Sequence, residues 1–231
     1  MIELYSGTPG SGKSLHLARK VRDCLKFSCP VIGTFHINKQ MLWKNSPYPY
    51  TYINIYDLTP QFLLDYYENN KRYIKKGVEG SFLLVIDECQ RIFNSRTWQE
   101  NNNRNDWITF FAEHRHFGFN VILVSQMDRM IDRQIRGLLE YNYLHRKVDS
   151  MGFAGKIMSF FIGNFCVVKT WYAIKGYNLG SEFIRGNKKL YNFYDTFEDF
   201  ARDQNGEARE GGDPSGHGED YLEKLKKIDT L

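Results

Sequence analysis

Residues Gly7-Thr8-Pro9-Gly10-Ser11-Gly12-Lys13-Ser14 read G-x-x-x-x-G-K-S, a spacing whose chemistry is the cradling of a polyphosphate. Glycine opens backbone conformations closed to other residues and lets main-chain N–H groups approach an anion closely. Those of the loop and the next helical turn would point at the β-phosphate. Lys13 would reach the β- and γ-phosphate oxygens, and Ser14 would place its hydroxyl on Mg²⁺. The competing reading is a Gly-rich turn that merely caps a helix. Against it stand the Lys-Ser pair and the flanks: Ile2-Glu3-Leu4-Tyr5 is strand-like, and Leu15, Ala18, Val21 and Leu25 follow at helical spacing. The pattern predicts a nucleoside triphosphate site, with ATP and Mg²⁺ as cofactors.

A second constellation supports hydrolysis. Phe82-Leu83-Leu84-Val85-Ile86 is a continuous apolar run ending in Asp87-Glu88. Asp87, at a strand end beside the loop, would hold the Mg²⁺ shell through water. Glu88 would polarise the attacking water as general base. The alternative is an acidic pair capping the next helix. Asn120–Ser125 forms another apolar run ending at Gln126, which could bridge the attacking water and the γ-phosphate or be an ordinary strand-end polar residue. Together these features point to the additional-strand, catalytic-glutamate ATPases and away from GTPases and small-molecule kinases.

The elements that must position these residues alternate. Strands are expected at Pro30–Phe35, Tyr52–Ile55, Phe82–Asp87 and Asn120–Ser125. Helices are expected from Thr59 (N-cap) and Pro60 to the basic stretch Lys71–Lys76, and from Asp106 to about Phe117. A polar, aromatic insertion (Trp43, Pro47, Tyr48, Pro49, Tyr50) separates the second and third strands. This alternation predicts an α/β P-loop NTPase with a mostly parallel sheet and helices on both faces. Beyond Leu138, Tyr141–Arg146 and Phe165–Tyr172 resemble antiparallel strands joined through Gly152–Gly163, a β-rich C-terminal edge. Residues 1–202 are read as the ATPase domain. Residues 203–231 are read as a flexible Gly- and acid-rich tail with a short basic amphipathic end.

A chain of 231 residues with 42% hydrophobic and 16% aromatic content is globular. Its net charge of +4 permits contact with nucleic acid or an anionic membrane without arguing for either. Cys24, Cys29, Cys89 and Cys166 lack metal-ligand spacing and read as reduced core residues. No run reaches eighteen apolar residues, and Ile157–Val168 fits a buried strand or hairpin better than a membrane span. The chain is expected to be soluble.

The string His114-Arg115-His116-Phe117-Gly118-Phe119-Asn120-Val121-Ile122-Leu123-Val124-Ser125-Gln126, after Ile86-Asp87-Glu88-Cys89-Gln90, resembles the zonular occludens toxin (Zot) family. The continuation Arg129-Met130-Ile131-Asp132-Arg133-Gln134-Ile135-Arg136 also fits, and the resemblance covers residues 1 to about 195. It implies a RecA-like ATPase similar to the hexameric DNA pumps of the FtsK/HerA kind. It also implies work in assembly and extrusion of filamentous phage at the cytoplasmic face of the host inner membrane. Membrane attachment would come through a segment outside these residues or a partner. Further implied partners are phage assembly and coat proteins or coated single-stranded DNA. A homo-oligomeric ring, hexameric by preference, is implied too. Ring ATPases complete each site with a neighbour's arginine; Arg133 is the first candidate, then Arg136 and Arg115, against a solvated basic face. His114 and His116 suit structural or substrate-gating roles. Aromatics interleaved with cations (Tyr66, Tyr67, Tyr73; Tyr141, Tyr143, His145, Arg146, Lys147) suit direct contact with single-stranded DNA or an aromatic core. The rival functions are a DNA translocase or packaging motor, and a nucleotide-gated adaptor with little turnover.

Overall fold

An apolar run without interruption belongs in a strand covered on both faces. β1 (Ile2–Ser6) and β4 (Phe82–Ile86) are buried at every position. The structure, a computed structural model, describes residues 1–41, 46–75, 80–98, 103–148, 163–172 and 177–194. The other strands are β2 (Val31–Gly33), β3 (Tyr50–Tyr52), β5 (Phe119–Ser125), β6 (Tyr141–Lys147), β7 (Phe165–Trp171) and β8 (Tyr177–Ile184). They form one sheet in the order β3-β2-β4-β5-β1-β6-β7-β8. β1 to β6 pair in parallel, while β7 and β8 add antiparallel.

Side chains alternate between two cores, as the pleat requires. Leu4, Leu84, Ile86, Val121 and Leu123 face a core covered by α2 (Pro60–Asn69), α3 (Arg104–Glu113) and the short α4 (Arg133–Gly137). Tyr5, Leu83, Val85, Ile122 and Val124 face the core of α1 (Lys13–Phe27) and α5 (Lys188–Phe193). Leu15, Ala18, Val21 and Leu25 are buried on α1, as their spacing predicts. Thr59 caps α2 by accepting the Phe62 N–H (3.2 Å), and Pro60 opens the helix.

Several expectations are corrected. β3 starts earlier than Tyr52–Ile55, because after Ile53 N–H bonds Gly33 O (3.1 Å) Asn54 turns the chain. α3 ends at Glu113, not Phe117, where a turn through Gly118 (φ +71°) feeds β5. His114 and His116 therefore lie in that turn. β6 runs parallel to β1 and antiparallel only to β7. β8 and α5 carried no sequence pattern: on β8 only Ile184 is buried, as at the edge of a sheet. Cys166 is half-buried, unlike the other three cysteines. Trp43, Lys76, residues 152–162 and the tail from Asp203 lie outside the described residues. Met1–Thr196 forms one compact unit.

Phe93 follows the Asp87-Glu88 turn with no exposed surface and meets Trp98, Trp107 and Phe111 edge-on at 5.1–5.5 Å between centroids. Its carbonyl accepts the Asp132 N–H (2.9 Å), joining that turn to the start of α4. Phe93→Ala should cost about 3–5 kcal/mol of stability, read by urea unfolding. A cost under about 1 kcal/mol would mean that the ring cluster closes over the gap.

Candidate nucleotide site

Parallel pairing lines up strand ends of the same polarity, which is where open α/β sheets build sites. Ser6 lies opposite Ser125 on one side and Leu144 on the other, and Ile86 opposite Leu123. Gly7, Asp87, Gln126 and His145 therefore leave their strands at one end of the sheet. Gly7 N–H donates to Gln126 O (3.2 Å). β5 stands between β1 and β4, the additional strand expected of a catalytic-glutamate ATPase.

The loop is built for close approach. Gly7 (φ +145°) would put a Cβ 2.5 Å from His145 O, and Gly12 (φ +96°) one 2.6 Å from the Phe165 ring. Thr8, Pro9 and Gly10 are exposed, while Ser11 is buried and its hydroxyl has no hydrogen-bond partner among the described residues. Lys13 is buried, and its ammonium donates to Gly7 O (2.6 Å) and Thr8 O (3.2 Å). Burial pulls its pKa down, and the Glu88 and Asp87 carboxylates pull it back. Ser14 sits half-buried in the first turn of a fifteen-residue helix with no acid there and no side-chain cap. A buried cation, an unpartnered hydroxyl and open helix N–H groups fit a polyphosphate. The oxygen donors Ser14 and Asp87 fit Mg²⁺.

Asp87 is held on every polar atom of its carboxylate and amide. Its N–H donates to Thr34 Oγ1 (2.8 Å), Oδ1 accepts Glu88 N–H (2.9 Å), and Oδ2 accepts the Tyr194 hydroxyl. Burial raises the pKa of its carboxyl, against the Tyr194 hydrogen bond. Glu88 is the one non-glycine at positive φ (+47°) among the described residues, a conformation concentrated at functional sites. The Gln90 amide donates to its Oε2. Gln126 is half-buried at the tip of β5.

Behind the loop, His145 Nδ1 donates to Ser6 O (3.1 Å), which leaves Nε2 to accept from His16 Nδ1 (2.9 Å). Burial pushes His16 down to about 3 and His145 to about 4, so both rings are neutral.

The arginines do not form one cluster. Arg115 pairs with Glu140 (2.9 Å) at the start of β6, one β5 length from the loop, about 20 Å for seven residues. Arg133 is exposed on α4; Arg136 is half-buried beside the Tyr172 hydroxyl, which donates to Asp128 (3.1 Å). Tyr66, Tyr67 and Tyr73 pack against the α2–α3 core, with Lys71 and Arg72 over the Tyr67 and Tyr73 rings. Lys169 covers Tyr141 (4.1 Å) and Tyr143, and His145 is buried. Among the described residues, no helix is long and apolar enough to cross a membrane.

The family model described as zonular occludens toxin (Zot) matches residues 1–179. The chain belongs to the Zot family. It is 26% identical over 227 residues to the Gene 1 protein of Enterobacteria phage f1, covering 87% of this chain and 60% of that protein. To the Gene 1 protein of Escherichia phage If1 it is 30% identical over 173 residues, covering 71% of this chain and 47% of that one. It thus spans 60% or less of these relatives. Among solved structures it resembles the N-terminal domain of zonular occludens toxin from Neisseria meningitidis, with TM-score 0.50, 20% identity, and coverage of 84% of this chain and 98% of that one. It also resembles a second solved ATPase domain, with TM-score 0.53, 10% identity and 84% coverage of both chains. The fold of this Zot-family chain is that of the P-loop NTPases.

Sequence reasoning missed Thr34, Gln90, His16 and Tyr194. Thr34 follows β2 beside the Asp87 strand and Gln90 lies two residues past Glu88, so strand order and spacing could have found both. Tyr194 carried no signal, since 107 residues separate it from Asp87.

The histidine pair predicts a pH dependence. Unfolded histidine titrates near 6.5, whereas the folded values lie at about 3 and about 4. Between pH 6.5 and 4 the unfolded chain therefore binds more protons, so stability present above pH 6.5 is lost as pH falls. Each histidine should contribute a slope of about 1.4 kcal/mol per pH unit in that window. His145→Gln should flatten the fall in urea-unfolding free energy between pH 7 and 4.5. An unchanged slope would remove the pair as its source.

Proposed function

We propose that this chain is the ATP-hydrolysing part of a motor that drives assembly and extrusion of filamentous phage. The supporting observation is the meeting, at one sheet end, of the Lys13 loop with Asp87, Glu88 and Gln126 in a relative of phage Gene 1 proteins. Residues 7–14 cradle the phosphates, and Lys13 leaves its loop carbonyls for the β- and γ-phosphate oxygens. Glu88 takes a proton from the attacking water, whose oxygen bonds the γ-phosphorus. The bond to the β-phosphate oxygen breaks and ADP departs. Gln126 bridges that water and the γ-phosphate. Mg²⁺, when bound through Ser14 and the Asp87 shell, neutralises phosphate charge. The αL backbone of Glu88 and its Gln90 tether favour turnover over a passive adaptor.

The same reading assigns residues 1–202 to the ATPase domain and 203–231 to a flexible tail. It has subunits joined in a ring, hexameric by preference, at the cytoplasmic face of the host inner membrane. The membrane is reached through a further segment or a partner. Phage assembly and coat proteins, or coated single-stranded DNA, are its partners, with direct strand contact through exposed cations. Arg133, free of the core, is first choice for the arginine completing a neighbour's site, then Arg136. Arg115, paired with Glu140, comes last.

Glu88→Gln should keep Mg·ATP bound and stop hydrolysis, because the amide preserves shape but accepts no proton. Steady-state turnover within about tenfold of wild type, ~1.4 kcal/mol of barrier, would remove Glu88 as the base. If a neighbour's arginine acts, activity per subunit should rise with protein concentration. Arg133→Ala should lose hydrolysis while binding nucleotide and oligomerising, and mixing it with Glu88→Gln should restore some turnover. Concentration-independent activity from a sedimenting monomer would exclude the ring.

A further inference from the structure

We propose that Tyr194 is a positioning residue that competes with the magnesium shell for Asp87, so that metal–nucleotide binding releases α5 from the site. This rests on the reading of Asp87 as the acid of the Mg²⁺ shell.

The geometry leaves Asp87 one oxygen to share. Its N–H is held by Thr34 Oγ1, and Oδ1 by Glu88 N–H at 2.9 Å. Oδ2 takes the Tyr194 hydroxyl. A metal-bound water is also a donor, and it seeks carboxylate lone pairs of the same kind. Tyr194 is otherwise held where that exchange can be felt. Its ring stacks on Phe35 at 4.7 Å, its backbone bridges to Ile37, and Asn38 N–H donates to Phe193 O (2.9 Å). Leu190 and Phe193 anchor α5 in the core that α1 fills, and α1 begins in the phosphate loop. The six-residue helix has few other tethers: Asn187 caps it through Lys189 N–H (2.9 Å). A buried tyrosine hydroxyl needs some partner, and any carbonyl would serve a purely structural role. This one is directed onto a carboxylate that the chemistry needs.

The test is hydrogen–deuterium exchange of the whole 231-residue chain, followed in peptides spanning 188–194. The conditions are no nucleotide, a non-hydrolysable ATP analogue with Mg²⁺, and the analogue with chelator. In wild type, exchange in 188–194 should rise at least threefold with Mg²⁺ and analogue but not with analogue and chelator. Tyr194→Phe should exchange fast in all three, with β4 and β5 peptides unchanged, and should half-saturate with analogue at severalfold lower Mg²⁺. Unchanged or slower exchange in wild type with the analogue bound overturns the proposal and leaves the nucleotide site standing. So does a Tyr194→Phe protein that needs more Mg²⁺. Failure of wild type to bind the analogue overturns both. The wild-type comparison is decisive even if the variant does not fold.

Discussion

The placement of β5 between β1 and β4 is the constraint on which the site depends. A phosphate loop on one strand and an acid pair on its immediate neighbour would leave no room between them for a water and its orienting group. The intervening strand separates them by two interstrand spacings, about 9–10 Å, and puts Gln126 in the gap. Parallel register then sets the depth: Ser6, Ser125 and Leu144 lie side by side, so neighbouring chains turn out of the sheet together. That arrangement demands strands buried on both faces. The apolar runs of β4 and β5 therefore answer to catalytic geometry as well as to the core.

Electrostatics at that sheet end is balanced by one cation and two carboxylates. Burial disfavours the charge on Lys13 and raises Asp87, and each offsets the cost of the other. The ammonium turned onto its own loop carbonyls satisfies a group that would otherwise be buried without partners. Polyphosphate offers the same ammonium stronger acceptors, so binding exchanges hydrogen bonds without creating a buried charge. Neutral histidines behind the loop follow the same logic. A charged His145 would face Lys13, whose field already presses it toward the neutral form.

Local patterns were legible wherever a residue's role was fixed by its immediate neighbours. The loop glycines, the Thr59-Pro60 helix start, the β4 and β5 runs and the acid pair all read directly, because each is written within a few residues. What failed was long-range. β8 presents almost no buried face, so no alternation marked it. α3 stops early because Gly118 turns the chain while apolar spacing continues through Phe117. Helical periodicity reports burial, not the point where hydrogen bonding changes. The four arginines seemed to belong together because they flank one strand in sequence. A strand of seven residues, however, places its two flanks at opposite ends of the molecule.

That separation divides the labour of the family motif. Its first half, His114-Arg115-His116, fastens the start of the strand: His114 Nδ1 donates to Phe111 O (2.6 Å), and Arg115 pairs with Glu140 before β6. Its last residues, Ser125-Gln126, stand at the phosphates' end, where Ser125 Oγ donates to Met127 O (3.0 Å) and turns the chain away. A string read as one signature is thus two sites joined by a rigid strand. The first fixes the strand's position against β1 and β6; the second uses that position. A shift at the Arg115 end would be carried along β5 to Gln126, because a strand hydrogen-bonded on both sides cannot slip by less than a whole register step. The specificity of the motif follows from that coupling: residues that never touch nucleotide set the height at which the residue that does must stand.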